Sequence, residues 1–172
     1  RIVCAMSGPF TQRGMPALHS PADRARAALE AGEVLPVDLR GQTVFYAGPT
    51  PTPPGKACGA IGPTTSMRMD AFTPRLLRYG VNAMIGKGER GEAVRAAIME
   101  TGAVYFAAIG GCAAYMAACV EALEVVAYDD LGTESIKRLT VRDLPLTVAL
   151  DAQGGDAYAM GAERYRELCQ NP

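Results

Sequence analysis

Gly62-Pro63-Thr64-Thr65-Ser66-Met67-Arg68-Met69-Asp70 packs more chemically useful groups into a short span than any other run of the chain, and the fold is read outward from it. On its amino-terminal side, Gly48 to Gly59 is rich in Pro and Gly and has no periodicity, which marks an extended connection. Gly62 and Pro63 then fix a turn and three hydroxyl residues follow. Met67 to Tyr79 reads as a helix. A helix starting near Ser66 would place the hydroxyls where orphan N–H donors and the helix dipole favour an anion. Arg68, one turn in, adds a two-pronged grip suited to a carboxylate. An ordinary N-cap accounts for the same residues: Thr or Ser often precedes a helix, and Asp70 completes a capping-box-like spacing from Thr65 or Ser66.

Upstream, Arg1 to Met6 is a short apolar run that reads as a strand, and Phe10 to His19 as a loop holding Arg13. Ser20-Pro21-Ala22-Asp23 is a helix start, with Ser as cap, Pro at the first position and Asp in the first turn, and Gly32 ends that helix. Thr43 to Ala47 is a strand. Downstream, Val81 to Ile85 reads as a buried strand and Glu92 to Thr101 as a helix. Ala103 to Ile109 is a strand, followed by the tight Gly110-Gly111 turn. Cys112 to Leu123 reads as a small-residue helix, and Glu124 to Tyr128, Lys137 to Val141 and Leu146 to Leu150 as strands. Tyr158, Ala162, Tyr165 and Cys169 recur at helical spacing near the end. Strands alternating with helices, without repeat or linker, predict one α/β domain over residues 1–172.

The 172 residues are enough to bury a core, and 49% of them are apolar, which excludes a disordered chain. The net charge of −1 is made of interspersed acids and bases, so a nucleic-acid partner is not expected. No apolar run is long enough to span a bilayer. The five cysteines are odd in number and scattered, with no Cys-x-x-Cys pair, which argues against a disulfide framework and against a metal or iron–sulfur site made by this chain alone. Cys112 and Cys119, seven apart on the expected helix, read as small buried hydrophobes. A reducing cytoplasm is the expected location.

Gly86-Lys87-Gly88-Glu89-Arg90-Gly91 matches a dinucleotide fingerprint in spacing and lies between a strand and a helix. The acidic residue that the fingerprint requires after the next strand is missing, and Gly88 stands where a Walker loop needs Ser or Thr. Two readings remain open here. The glycines can bring Lys87 close to a bound anion, or Lys87 can be a solvated lysine on a tight turn.

Taken together, the residues resemble a known family. The stretch from Gly62 to Asp70, Gly86-Lys87-Gly88, Glu100-Thr101-Gly102-Ala103-Val104-Tyr105-Phe106 with Ala107-Ala108-Ile109-Gly110-Gly111, Asp130-Leu131-Gly132-x-Glu134, and Leu144 to Asp151 keep the order of blocks in the β subunit, or C-terminal domain, of iron–sulfur class I fumarases and L(+)-tartrate dehydratases. The resemblance implies a swivelling β/β/α-type domain with a mixed sheet and surrounding helices. It implies an α-subunit partner, in an α2β2 assembly, that carries a [4Fe–4S] cluster whose one iron free of cysteine acts as a Lewis acid; this chain alone would bind no cofactor and no metal.

The substrate implied is a small dicarboxylate, held where the two subunits meet. Two fixed cations must grip it, a base must take the proton α to one carboxylate, and the charge that develops must be stabilised. By the family match, Thr64 takes part in proton transfer with help from a partner carboxylate, since a free hydroxyl is a poor base. Arg68 and Lys87 bind carboxylate and stabilise the intermediate, Thr65 and Ser66 support through hydroxyl and N–H contacts, and Arg13 is a further substrate ligand. Ser7-Gly8 and Thr11-Gln12-Arg13 fit the family's opening block, whereas Gly14 to Ala17 do not, and His19 is displaced by two positions and reads as a surface or capping residue before Ser20-Pro21. Glu89 replaces the usual Asp after Lys-Gly. Asp70 reads as an organiser of the turn, and Glu134 and Asp151 as structural. The activity expected is hydration of fumarate to malate; tartrate dehydratase or mesaconase is the alternative, and a non-catalytic carboxylate-binding module is the alternative of another class.

Overall fold

The computed structural model describes residues 2–4 and 21–170. The elements are β1 (Ile2–Cys4), α1 (Pro21–Glu30), β2 (Thr43–Phe45), a 3-10 turn (Ser66–Met69), α2 (Thr73–Tyr79), β3 (Ala83–Gly86), α3 (Glu92–Thr101), β4 (Val104–Ala107), α4 (Ala113–Ala118), β5 (Val120–Ala127), a second 3-10 segment (Asp129–Glu134), β6 (Ile136–Val141), β7 (Thr147–Leu150) and α5 (Ala157–Gln170). The seven strands form one sheet in the order β5-β6-β1-β2-β3-β4-β7. Strands β1 to β4 run parallel, β6 and β5 extend the sheet antiparallel beyond β1, and β7 pairs antiparallel with β4. The chain is therefore α/β, as the alternation of elements predicts, with the mixed sheet that the resemblance implies.

Each parallel pair needs a crossover, and right-handed crossovers between neighbouring strands put their helices on one face. That is the face on which Ala25 of α1, Leu76 and Leu77 of α2, and Val94, Ala97 and Ile98 of α3 bury against Val44, Tyr46, Met84 and Tyr105. The alternate strand residues, Phe45, Ala47 and Ile85, point the other way and pack with Ile61, Cys58 and Met116 of α4. The period of two along β2 and β3 thus feeds two cores, as expected of parallel strands covered on both faces.

Two expected elements are corrected. The helix expected from Met67 to Tyr79 is split into a 3-10 turn and α2, because Pro74 lies at the first positions of α2. In a continuous helix its ring would meet the Asp70 carbonyl and leave one hydrogen bond unmade. The helix expected from Cys112 to Leu123 is only Ala113–Ala118, and the sheet takes the chain from Val120, where β5 pairs with β6 at Val120↔Val141. Pairing overrides the helix preference of Ala, Leu and Glu. Cys112 and Cys119 therefore flank α4, and only Cys119 is buried.

At the β4 side of the sheet, a groove of about 740 Å³ lies between β7 and α5, lined among others by Val148, Asp151, Met160 and Arg164. None of its lining residues belongs to the hydroxyl turn or the glycine corner.

Candidate functional site

The hydroxyl turn and the glycine corner meet at the carboxyl ends of β2 and β3, where open α/β sheets bind ligands. Past β2, Ala47 bridges to Pro63 and the Tyr46 carbonyl accepts the Thr64 N–H at 2.8 Å. Past β3, Lys87 pairs with Thr65 as in a parallel ladder: Ser66 N–H donates to the Lys87 carbonyl at 3.0 Å, and Lys87 N–H to the Thr64 carbonyl at 3.3 Å. Twenty-odd residues apart in the chain, the two corners are joined by main-chain bonds.

The side chains follow from that pairing. The Thr64 hydroxyl is partly buried and donates to the Tyr46 carbonyl at 3.2 Å, which leaves its lone pairs free to accept. Thr65 is exposed. Arg68 lies two residues beyond Ser66 in the 3-10 turn with its side chain exposed. Lys87 is half-buried, and its stem and amine pass Gly110 at 3.6 and 3.8 Å from where a Cβ would stand there. The lysine that follows β3 thus runs within van der Waals reach of the Gly110 turn after β4. Gly62 closes the other flank: its N-terminal neighbour Ile61 donates to the Ala113 carbonyl at 3.1 Å, and a Cβ at Gly62 would stand 3.1 Å from that of Ala113.

Ser66 differs from its neighbours. It is wholly buried, and its hydroxyl accepts the Lys87 N–H at 3.1 Å and hydrogen-bonds the Tyr105 phenol at 3.1 Å. Its support is therefore given from beneath the turn. The N–H groups of Thr64 and Ser66 are likewise spent on carbonyls, so the expected row of orphan donors at a helix start is replaced by ladder-like pairing, and the four-residue 3-10 turn presents no helix N-terminus. Arg13 and His19 lie outside the described residues. Asp151 accepts the N–H groups of Gln153 and Gly155 and closes its own turn, a structural role.

Three residues at the site were not anticipated. Tyr46 and Tyr105 are wholly buried, and the Tyr105 phenol also bonds the Gly88 carbonyl at 2.9 Å. Burial pushes that phenol up to about 12, against the Ser66 hydrogen bond and the Arg90 charge. Arg90, inside the glycine corner, is 2% exposed and forms an ion pair with Asp70 at 2.7 Å. A charge among glycines reads as solvated, and no sequence signal marks Arg90 as buried.

Among the described residues no group of three or more His, Cys, Asp or Glu could hold a metal ion. Cys58 is buried, and burial raises its thiol above the usual range, with the Lys137 charge opposing, so it is a poor ligand as well as a poor nucleophile. No helix among the described residues is long and apolar enough to cross a membrane.

The family described as "Fumarase C-terminus" matches residues 14–161. The aerobic class I fumarate hydratase of Escherichia coli strain K12 is 36% identical over 137 residues, covering 78% of this chain and 25% of the relative. The mitochondrial fumarate hydratase 1 of Leishmania major is also 36% identical over 137 residues, with the same coverage. A protein of Methanocaldococcus jannaschii named "Putative L(+)-tartrate dehydratase subunit beta" is 35% identical over 136 residues, covering 76% of this chain and 70% of its own length. The chain thus spans about a quarter of the length of the fumarate hydratases it matches.

Proposed function

Because this chain belongs to the fumarase C-terminus family, we propose that it is the substrate-gripping part of a hydro-lyase that hydrates fumarate to malate, completed by a partner bearing a [4Fe–4S] cluster. In this proposal the cluster is carried by that partner. The observation that supports the reading is the main-chain pairing of Thr65 with Lys87, which joins the hydroxyl turn to the lysine-bearing corner at the end of the sheet.

A dicarboxylate arriving there meets the ammonium of Lys87 and the guanidinium fork of Arg68, the two cations its charges require. In the direction of water loss, the C–H bond α to one carboxylate breaks. Its electron pair moves into that carboxylate, which becomes an enediolate with a second negative charge; when the pair returns to form the C=C bond, the C–O bond on the neighbouring carbon breaks and the hydroxyl leaves with a proton as water, a departure that the partner's cluster would assist as a Lewis acid. Lys87 and Arg68 lower the barrier in so far as they bind this doubly charged form more tightly than the substrate. Thr64 is the group placed to take the proton. Its hydroxyl donates to the Tyr46 carbonyl; in the reaction that hydroxyl proton would pass to a partner carboxylate as the Thr64 oxygen takes the proton from carbon, so that Thr64 ends neutral and the carboxylate protonated. Thr65 adds a hydroxyl contact at the exposed edge, and Ser66 holds Lys87 in place from below. Arg13 is a further carboxylate ligand in this proposal.

The test is assembly with a cysteine-bearing partner under anaerobic conditions, with fumarate, L(+)-tartrate and mesaconate assayed side by side. Fumarate hydration in the mixture and in neither part alone is the expected result. Preferred turnover of tartrate or mesaconate would reassign the substrate. Binding without turnover of any diacid would leave a non-catalytic module in its place.

A further inference from the structure

We infer that Arg90 is the positioning residue of this site: its buried guanidinium sets the register of the glycine corner against the hydroxyl turn, and so places Lys87 relative to Thr64 and Arg68. The inference rests on the function proposed above. Arg90 Nε donates to Asp70 Oδ1 at 2.7 Å, while the other carboxylate oxygen accepts the Gly91 N–H at 2.6 Å. Asp70 closes the 3-10 turn that holds Arg68, and Arg90 and Gly91 close the corner that holds Lys87. One carboxylate thus ties the two motifs together.

The same guanidinium reaches the supports of each acting group. It donates to Thr73 Oγ1 at 2.8 Å and to Met84 Sδ at 3.7 Å, and its carbon stands 5.3 Å from the Tyr46 ring and 5.0 Å from the Tyr105 ring. The Tyr46 carbonyl holds Thr64. The Tyr105 phenol holds Ser66 and the Gly88 carbonyl, next to Lys87. Only Gly88 and Glu89 separate Lys87 from Arg90, so any shift of the guanidinium is passed to the lysine through two residues. Gly88 takes φ +80°, a conformation open chiefly to glycine, and cannot by itself hold the corner rigid.

Stability alone does not account for a charge here. A buried ion pair is often no more stabilising than well-packed apolar residues of similar volume. What a planar, fixed fork adds is geometry: it stacks between two rings and bonds in defined directions, as lysine cannot.

The test uses the enzyme assembled with its partner and compares wild type, Arg90→Lys and Ile98→Ala, the last a buried core change in α3 that lowers stability and lies outside both the hydroxyl turn and the glycine corner. Arg90→Lys should lower kcat/KM by about tenfold or more with KM raised, while Ile98→Ala, with a similar loss of Tm, stays within about twofold. Arg90→Lys with wild-type kcat and KM would overturn the inference. A second measurement does not need turnover. The amides of Ser66, Lys87 and Gly91 donate across the two motifs, and their hydrogen exchange should quicken by about tenfold in Arg90→Lys relative to Ile98→Ala. Equal exchange in the two variants would also overturn it. If the assembled wild type turns over no dicarboxylate, the proposed function falls, and the exchange result still decides whether Arg90 sets the register.

Discussion

In the proposed site, Arg68 would act through the shape of its side chain as well as its charge. A guanidinium can meet a carboxylate with two parallel hydrogen bonds, and an ammonium meets it as a point. A lost charge-assisted bond is worth about 1.5–3 kcal/mol. Arg68→Lys should therefore reduce kcat/KM of the assembled enzyme by about 10- to 100-fold, and wild-type kinetics in that variant would remove Arg68 from the grip. Tyr105 carries a different prediction. Its phenol is held up to about 12, while the same group in an unfolded chain loses its proton near its ordinary value of 10.0. Between these limits the folded state binds the proton and the unfolded state does not, so stability falls as pH rises through that window. Urea midpoints measured across it should fall more steeply for wild type than for Tyr105→Phe. Parallel slopes would show that the phenol titrates as if exposed.

The end of β3 shows how little freedom an element has when it carries a site. A Cβ built at Gly86 would overlap the Ser66 hydroxyl and come within 3.2 Å of the Tyr46 ring. Ser66 is wholly buried and bonded to Lys87 and Tyr105, so it has nowhere to go. Gly86→Ala should cost about 1–3 kcal/mol by overpacking, read as a lower urea midpoint, and should raise KM because the Lys87 backbone moves with Ser66. At this scale much was legible in advance. The apolar runs at Thr43, Val81 and Ala103, each bounded by Gly or Pro, identify the parallel strands, and the same punctuation marks both corners. The break at Pro74 was also legible in principle, since proline inside a helix removes a bond at a known position. Two features were not. The start of β5 depends on pairing with β6, a partner distant in sequence, and its own residues favour a helix. The burial of Arg90 depends on Asp70, Tyr46 and Tyr105, which come together only once the sheet has formed.

Across the whole molecule, the sheet protects its centre better than its ends. Strands β2 and β3 are covered on both faces, whereas β7 is an edge strand with Val148 49% exposed, and α5 beside it has no buried residue. What holds α5 is its first turn: Asp156 accepts the N–H groups of Tyr158 and Ala159 and faces Arg95 of α3 at 3.0 Å. Every residue from 159 to 170 is exposed. Ending the chain after Gly161 should therefore change the unfolding free energy by less than about 1 kcal/mol. A much larger drop in thermal midpoint would mean that the distal turns of α5 pack against something beyond the residues described.

The two corners are stitched by peptide groups, and this governs how an acid would be received. A grip built from flexible side chains must be arranged at each encounter, and that ordering opposes association. In the proposed site the main-chain frame stands before any ligand comes, and the side chains of Lys87 and Arg68 would turn onto it. Rapid mixing of the assembled enzyme with succinate, an unreactive mimic, should give a single-exponential trace whose rate rises linearly with concentration. A slow second phase that levels off would mean that the pocket is shaped on arrival.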